Sequence, residues 1–313
     1  MVSRILSVGK TLYSVHAKVQ RLPKPGCRCS AESCAFCPGG NAALTAIALS
    51  KLGLDSVLCS KIGSDMNGGL IRQSLSDLGV DTRFLVSDGK IKTGAILIHD
   101  DENGEESVTV FDGAGEFLSR DDIEDAFTCY PDAVYLRSDI RPVLAEDVLG
   151  FASEQNVPIF FDGRGCSKFE FCKEEMPTLE AFILSSEEIP YYCGILPSDM
   201  QRCFDAVIQL SVNIRAKYYI IELGARGSIV YDGKYMEIVT SCRNPLDIAD
   251  RATLSSAYAA ALIAEYMSSQ DMLNAVRYAE SALALGAAKA KQIDSLPTLQ
   301  ELKVFAANQE SKT

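Results

Sequence analysis

The chain has 313 residues, of which 47% are hydrophobic and 23% charged, and this composition suits one large α/β domain with a sizeable core. Its formal net charge of −12 excludes nucleic-acid backbones and anionic membrane surfaces as expected partners, because both bind basic patches. No apolar run approaches the roughly 18 residues of a membrane span. We therefore expect a cytoplasmic protein that binds a small molecule.

The predicted elements alternate between strand and helix. A first strand is predicted at residues 5–9, an Ala- and Leu-rich helix at 41–52 and a second strand at 56–59. The same alternation continues with strands at 133–136, 158–161, 182–184 and 218–222, and with helices at 70–78, 145–154, 255–262 and 272–289. This order predicts a mostly parallel sheet with helices on its faces.

Two segments, at about 13–38 and 91–112, interrupt this alternation. The second has a hairpin pattern, with Asn103-Gly104 in the turn. Together they predict a small β lid over the strand ends of one domain that spans residues 1–313. Because exposed edge strands of a lid can pair with those of a second copy, a homodimer formed through the lid is a further hypothesis.

The chain contains eleven cysteines, and four of them lie within eleven residues of the predicted lid: Cys27, Cys29, Cys34 and Cys37. Four thiolates can bind zinc tetrahedrally, although only four residues separate the two pairs. Free thiols and a lid disulfide or redox switch are the alternatives. A disulfide framework is not expected in a large, well-cored chain.

Short glycine-containing motifs recur through nearly the whole chain. In order they are LPKPG at 22–26, PGG at 38–40, KIGSDMNG at 61–68, LGVDT at 78–82, TG at 93–94, LGARG at 223–227 and LPTLQEL at 296–302. Each alone is weakly specific, but their order and spacing resemble the ribokinase-type (PfkB) carbohydrate kinases. The resemblance implies a three-layer α/β/α sandwich with a β lid, in which ATP and Mg²⁺ serve phosphoryl transfer to a sugar-like alcohol.

The predicted helix start at residues 247–253 has the layout of a phosphate-binding site. In the family it follows the pattern Asp-Thr-x-Gly-Ala-Gly-Asp, and the last Asp is the general base. Counted from Asp247, the three small positions hold Asp250, Arg251 and Ala252, and Thr253 takes the base position. A threonine hydroxyl does not accept a proton near pH 7, so a general-base contribution of about 10²- to 10⁴-fold is expected to be missing.

The same substitutions affect phosphate binding. A carboxylate of Asp250 about 4 Å from a phosphate oxygen would cost on the order of 4 kcal/mol at an effective dielectric constant near 20, and Arg251 would offset part of this. A shifted alignment in which Asp250 acts as a displaced base is the alternative to Thr253.

The acceptor positions differ as well. The family places an Asp where this chain has Ser14, and an Asn where it has Leu44, four residues after the Gly39-Gly40 pair. Asn41 offers an amide to the acceptor or, alternatively, caps the helix that it opens. These five residues are the candidate substrate contacts at the lid side of the site.

Three further candidates follow strands. Glu188 keeps the acidic end of the family's Asn-x-x-Glu pattern as a magnesium ligand, while Ser185 replaces the Asn; a helix cap is the alternative. Arg164, in Asp162-Gly163-Arg164, binds a carboxylate or phosphate of the substrate, or pairs with Glu170 or another acid. The turn that contains Gly224 and Gly227 is the candidate nucleotide contact.

Three functions are compatible with these observations. The first is an ATP-dependent carbohydrate kinase with an altered site. The second is a catalytically inactive member, a pseudokinase that binds a metabolite or regulates a partner, and the third is a zinc- or redox-responsive interaction protein that uses the lid cysteines. Because the base, anion-binding and acceptor positions all differ from the family pattern, we expect a carbohydrate-kinase-like protein with reduced or lost catalysis.

Overall fold

The computed structural model describes residues 2–103, 105–165, 176–242, 251–289 and 292–310. The strands in these ranges are β1 (Arg4–Val8), β2 (Leu12–Val19), β3 (Ala31–Gly39), β4 (Asp55–Gly63), β5 (Leu85–Asp88), β6 (Ala95–Asp100), β7 (Glu106–Phe111), β8 (Ala133–Arg137), β9 (Ile159–Asp162), β10 (Leu179–Ser185), β11 (Ala216–Glu222), β12 (Ser228–Tyr231) and β13 (Met236–Val239). The α-helices are α1 (Asn41–Lys51), α2 (Met66–Asp77), α3 (Arg120–Phe127), α4 (Pro142–Glu154), α5 (Ile189–Cys193), α6 (Met200–Asn213), α7 (Arg251–Ser269), α8 (Met272–Ala287) and α9 (Leu299–Glu310).

The main sheet has nine strands in the order β13-β12-β11-β10-β9-β8-β1-β4-β5. From β11 to β5 all neighbours are parallel, while β12 and β13 are antiparallel. The chain leaves β1 toward β4 and β5, and later strands are added from β8 on the other side of β1. The order therefore reverses between β1 and β8, and such a reversal opens a crevice at the carboxyl ends of the strands.

Hydrophobic side chains fill a core on each face of this sheet, because successive residues of a strand point to opposite faces. In β1, Ile5 packs on the side of α1, α7 and α8, whereas Leu6 and Val8 pack on the side of α3, α4 and α6. The result is a three-layer α/β/α sandwich, which confirms the predicted fold class.

Several predicted elements begin earlier than expected, for local reasons. Helix α2 starts at Met66 because the side chain of Asp65 accepts a hydrogen bond from Gly68 N and caps it. Helix α4 starts at Pro142, a residue suited to a first helical turn. Sequence patterning missed α6, although Asp199 caps it in the same way as Asp65 caps α2.

The second sheet has four strands in the order β3-β2-β6-β7. They come from the two segments for which a β lid is predicted, and β6 and β7 form the expected hairpin. In β2, Ser14 lies opposite Cys37 of β3 and Ile96 of β6, so these three side chains share one face of the sheet. Within the described ranges, no helix combines the length and the apolarity required to cross a bilayer.

Candidate functional site

A narrow cavity lies between the second sheet and the starts of α1 and α7. Six of its lining residues are ones that the sequence marked as acceptor, phosphate or base positions: Ser14, Gly39, Gly40, Leu44, Ala252 and Thr253. The structure thus brings together residues up to 239 positions apart in the chain. The centres of water molecules have about 30 Å³ to occupy in it, enough for one or two waters.

The lining of this cavity is largely apolar among the described residues, and its ionisable side chains are those of His16 and Cys37. Thr253 is buried in the first turn of α7, where the family pattern has a general base, and no carboxylate joins it in the lining. Ile96 and Ile98 of β6 face it from the second sheet. Asp247 and Asp250 lie outside the described residues, so the hypothesis that Asp250 is a displaced base stays a prediction.

Asn41 contacts a carboxylate that sequence reasoning missed. The N-cap of α1 is Gly40, which has no side-chain cap bond, and Asn41 is the first residue of the helix, so the capping alternative for Asn41 is wrong. Instead, Asn41 Nδ2 donates to Asp139 Oδ2 at 3.3 Å. Burial raises the pKa of Asp139. The position of Asp139 just after β8, beside the crevice, is the sequence feature that could have marked it as a site residue.

A network of buried charges lies at the carboxyl ends of β8, β9 and β11. Arg164 donates from Nε to Asp162 Oδ1 at 3.0 Å, from Nη2 to Asp162 Oδ2 at 2.7 Å and from Nη1 to Glu222 Oε2 at 3.0 Å. Tyr135 also donates to Asp162 Oδ2, and Arg137 Nη1 lies 3.0 Å from the same oxygen. Burial alone would raise the pKa of Asp162, but the two guanidinium groups hold it well below its usual range.

Arg164 also connects this network to α7. Its Nη2 donates to the carbonyl oxygen of Ser255 at 2.7 Å, and its guanidinium lies over the ring of Tyr258, 5.1 Å from the centroid. Of the two alternatives for Arg164, this geometry favours pairing with an acid, although the acids are Asp162 and Glu222 rather than Glu170, which lies outside the described residues. Direct contact between Arg164 and a substrate stays a prediction.

Glu188 lies at the carboxyl end of β10, with its carboxylate accepting hydrogen bonds from the protein. Its Oε2 accepts from Ser185 N at 3.0 Å and from Ser185 Oγ at 2.6 Å, and its Oε1 accepts from Gly165 N at 2.9 Å. Its side chain does not cap α5. Because Oε1 accepts only one of these bonds and keeps a free lone pair, Glu188 fits a magnesium ion that is held through water.

Arg251, the first described residue of α7, reaches across to the segment that follows β10. Its Nη1 lies 3.1 Å from both carboxylate oxygens of Glu187, and the two side chains are 82% and 66% exposed. The pair therefore links the two segments that the family layout assigns to phosphate and metal. A guanidinium is a strong phosphate-binding group.

Gly227, a predicted nucleotide contact, is required by the backbone conformation of its turn. Its φ is 94°, and a Cβ there would lie 1.9 Å from the carbonyl oxygen of Val239. We expect Gly227→Ala to destabilise the protein by more than about 2 kcal/mol, from backbone strain and this clash. Gly150→Ala is the matched control, because Gly150 lies in α4 with open space around it, and is expected to stabilise by about 0.5–1 kcal/mol. Equal stabilities of the two variants in urea unfolding would contradict this; the role of Gly224 toward nucleotide stays a prediction.

The lid cysteines do not converge on one point. Cys34 and Cys37 are three residues apart on β3 and so point to opposite faces of the second sheet, and Cys27 and Cys29 lie in the exposed loop before it. Among the described residues, no group of three or more His, Cys, Asp or Glu side chains is placed to hold a metal ion. The zinc hypothesis is therefore not supported, and none of the four residues forms a disulfide in the structure.

Comparisons with known proteins agree with this layout. A profile described as pfkB family carbohydrate kinase matches residues 2–299. The chain is 27% identical over 307 residues to an ATP-dependent ribose-1-phosphate kinase of Halopiger xanaduensis, covering 96% of this chain and 97% of that protein. It is 22% identical over 308 residues to a ribokinase of Staphylococcus aureus, covering 96% and 99%.

Solved structures share the fold. The structure of Arabidopsis thaliana ribokinase complexed with ribose and ATP superposes with a TM-score of 0.84 at 21% identity, covering 98% of this chain and 99% of that chain. A ribokinase from Giardia lamblia superposes with a TM-score of 0.85 at 18% identity, again covering 98% and 99%. Because the family profile spans nearly the whole chain, this protein belongs to the pfkB family of carbohydrate kinases.

Proposed function

We propose that this protein is an ATP-dependent phosphotransferase that acts slowly on an alcohol of a sugar-like acceptor. The observation that carries the proposal is the cavity beneath the second sheet, where the acceptor positions of the family meet Thr253. Family membership supports phosphoryl transfer, and the ribokinases with the same fold support a sugar as acceptor. Slow chemistry is expected because a threonine hydroxyl replaces a general base.

ATP and Mg²⁺ are the cofactors of this proposal. The residues that would hold them are Glu188, acting on the metal through water, Arg251, which would exchange Glu187 for a phosphate, and the Gly224 turn, which would meet the nucleotide. When bound, Mg²⁺ neutralises charge on the transferring phosphate. Arg251 would supply in a side chain the positive charge that glycine backbone amides supply in the family pattern.

A sugar-sized acceptor needs more room than the cavity offers as it stands. The cavity holds one or two waters as it stands, whereas a pentose has ten heavy atoms. We propose that the second sheet acts as a lid, opening to admit the acceptor and closing to exclude water.

A second candidate function is a metabolite-binding or regulatory protein without catalysis. The lining around Thr253 favours it, because among the described residues it contains no carboxylate to act as the general base of the family pattern. The two functions share the ligand site and differ only in turnover. A cytoplasmic location stays a prediction under both.

A thermal-shift and turnover panel with Mg-ATP and a range of sugars, nucleosides and sugar acids tests the proposal. We expect stabilisation by Mg-ATP and by at least one acceptor, with turnover about 10²- to 10⁴-fold below the 1–100 s⁻¹ typical of kinases. Stabilisation without any turnover would establish the non-catalytic candidate. No stabilisation by nucleotide would rule out the kinase.

We further propose that the protein forms a homodimer through the second sheet. Phe36, Leu97 and Phe111 are exposed on the face of this sheet that points away from Ser14, and a second copy would cover them. In sedimentation equilibrium we expect a dimer that Phe36→Asp converts to a monomer. Val212→Asp, at an exposed apolar position of α6, is the matched control and is expected to leave the dimer intact.

A further inference from the structure

Five side chains of the second sheet line the cavity beneath it, and all five lie on one face of that sheet. They are Ser14 and His16 of β2, Cys37 of β3, and Ile96 and Ile98 of β6. Cys37 and Ile96 lie opposite Ser14, and Ile98 lies opposite His16. His16 is only 8% exposed. The second sheet therefore holds a buried imidazole against the cavity.

His16 and Thr253 border the same small space. The centres of water molecules have about 30 Å³ to occupy there, which is one or two positions. Residues that line a space of this size lie within about one water molecule of each other. An acceptor hydroxyl that replaces a water beside Thr253 is therefore within reach of the imidazole, directly or through one water, and a general base acts over this range.

The imidazole has the chemistry that position 253 lacks. A general base must be free of its proton at the working pH and still bind one readily, and an imidazole does both near pH 7. A thiol such as that of Cys37 ordinarily keeps its proton at this pH. The hydroxyl groups of Ser14 and Thr253 do not accept one. Among the described lining residues, His16 is therefore the side chain suited to take a proton from the acceptor.

Few charged groups surround His16. On its face of the second sheet, Lys18 follows it along β2, and Asp100 lies beyond Ile98 on β6, in register with Lys18. The Lys18 side chain is 57% exposed and pairs with Glu32, whereas Asp100 is buried. The described lining residues of the main domain carry no charge. A positive charge that forms on His16 thus has a buried carboxylate on the same face of the sheet, which favours the protonated imidazole.

We propose that His16 is the general base of this protein, accepting the proton of the acceptor hydroxyl on a ring nitrogen. As the proton moves, the hydroxyl oxygen bonds to the γ-phosphorus of ATP, and the bond from that phosphorus to its bridging oxygen breaks, so that ADP leaves with the electron pair. The proton passes to solvent when the second sheet opens. The inference rests on the proposed function. Because this base acts from a lid rather than from a helix of the main domain, it replaces only part of the missing contribution, and turnover stays slow.

The pH dependence of kcat in the wild-type protein is the first test, with saturating Mg-ATP and the best acceptor from the turnover panel. Only the neutral imidazole accepts a proton, and an imidazole ordinarily titrates near pH 6.5. We therefore expect kcat to rise between about pH 5 and pH 7 and to level off above. A flat profile would overturn the inference without any substitution, which covers the case in which a His16 variant fails to fold.

His16→Gln keeps a polar side chain of similar size that takes up no proton near pH 7. At about pH 7.5 its kcat should fall at least about tenfold and its KM for the acceptor should change less than about threefold, while the rate that remains should not rise between pH 5 and pH 7. His99→Gln is the matched control and should leave kcat unchanged. His99, the other of the two histidines, lies on β6 next to Ile98 and so points to the opposite face of the same sheet.

A carboxylate at position 253 distinguishes a catalytic role of His16 from a structural one. In Thr253→Asp the new carboxylate takes the proton, so adding His16→Gln to it should lower kcat less than about threefold. The same tenfold loss in both backgrounds would show a structural role and would overturn the inference.

Two further results would overturn the inference and leave the proposed function intact. Equal losses in the His16 and His99 variants would mean that either change damages the second sheet. An unchanged kcat in His16→Gln would leave Asp250 as the candidate base. Absence of turnover by the wild-type protein with every acceptor would overturn the inference together with the proposed function.

Discussion

Replacing Thr253 by Asp is expected to raise the rate of phosphoryl transfer by about 10²-fold or more. Thr253 is buried in the first turn of α7 and lines the cavity beneath the second sheet, where the acceptor is proposed to bind. A carboxylate at this position would therefore lie beside the acceptor hydroxyl. A positioned general base contributes typically about 10²- to 10⁴-fold. Thr and Asp have similar volumes, so the cavity is expected to keep its shape.

The measurement is kcat with saturating Mg-ATP and the best acceptor from the turnover panel. Thr253→Asn is the matched control, since it has the size of Asp without the basic oxygen, and should stay at the wild-type rate. The Asp variant should gain activity as the pH rises through the pKa of the new carboxyl group, which burial is expected to raise above its usual value near 4. A wild-type enzyme that works at an ordinary rate, or equal rates for the Asp and Asn variants, would show that the base lies elsewhere.

The Asp162→Asn variant is expected to lose about 3–5 kcal/mol of unfolding free energy. Asp162 is fully buried, accepts from Nε and Nη2 of Arg164 and pairs with Arg137, so its neutralisation removes a counter-charge from two buried cations. Removing one partner of a buried ion pair costs about this much. The chain has no Trp, so urea unfolding is best followed by circular dichroism.

Glu187→Gln is the matched control for this variant. It breaks the ion pair between Glu187 and Arg251. Because both side chains are mostly exposed, the free energy of unfolding should change by no more than about 1 kcal/mol. The pKa of Asp162 is lowered in the folded state, so its contribution is fully present above the unfolded pKa near 4 and is lost as the pH falls toward the folded value. The difference between wild type and Asp162→Asn should therefore be constant above about pH 5 and shrink below about pH 4. A difference as small as that of Glu187→Gln would contradict the buried network.

Local sequence patterns predicted much of the fold, because they depend on residues close in the chain. The alternation of strands and helices, the hairpin of β6 and β7 and the start of α1 at residue 41 all follow from periodicity and turn residues. The start of α2 could have been found in the same way, since Asp65 is an ordinary N-cap. Family motifs then assigned Ser14, Leu44 and Thr253 to one site, and the cavity lining joins them.

Contacts between distant strands could not be read from the chain. The sequence offers Glu170 or another acid as a partner for Arg164, and only the parallel registers of β9, β10 and β11 bring Glu222, 58 residues away, to its guanidinium. Side chains alternate between the two faces of β3, so Cys34 and Cys37 point to opposite faces of the sheet. Their closeness in the sequence therefore does not bring them together as zinc ligands.

The fold class, the family and the absence of a carboxylate at position 253 follow from residue identity and local order. Which charges meet depends instead on how distant strands pair. The pairing of β8 with β1 places Arg137 beside Gly9, 128 residues away, and Asp139 beside Asn41, 98 residues away. Burial there gives their charges an energetic weight that the same residues would not have in water.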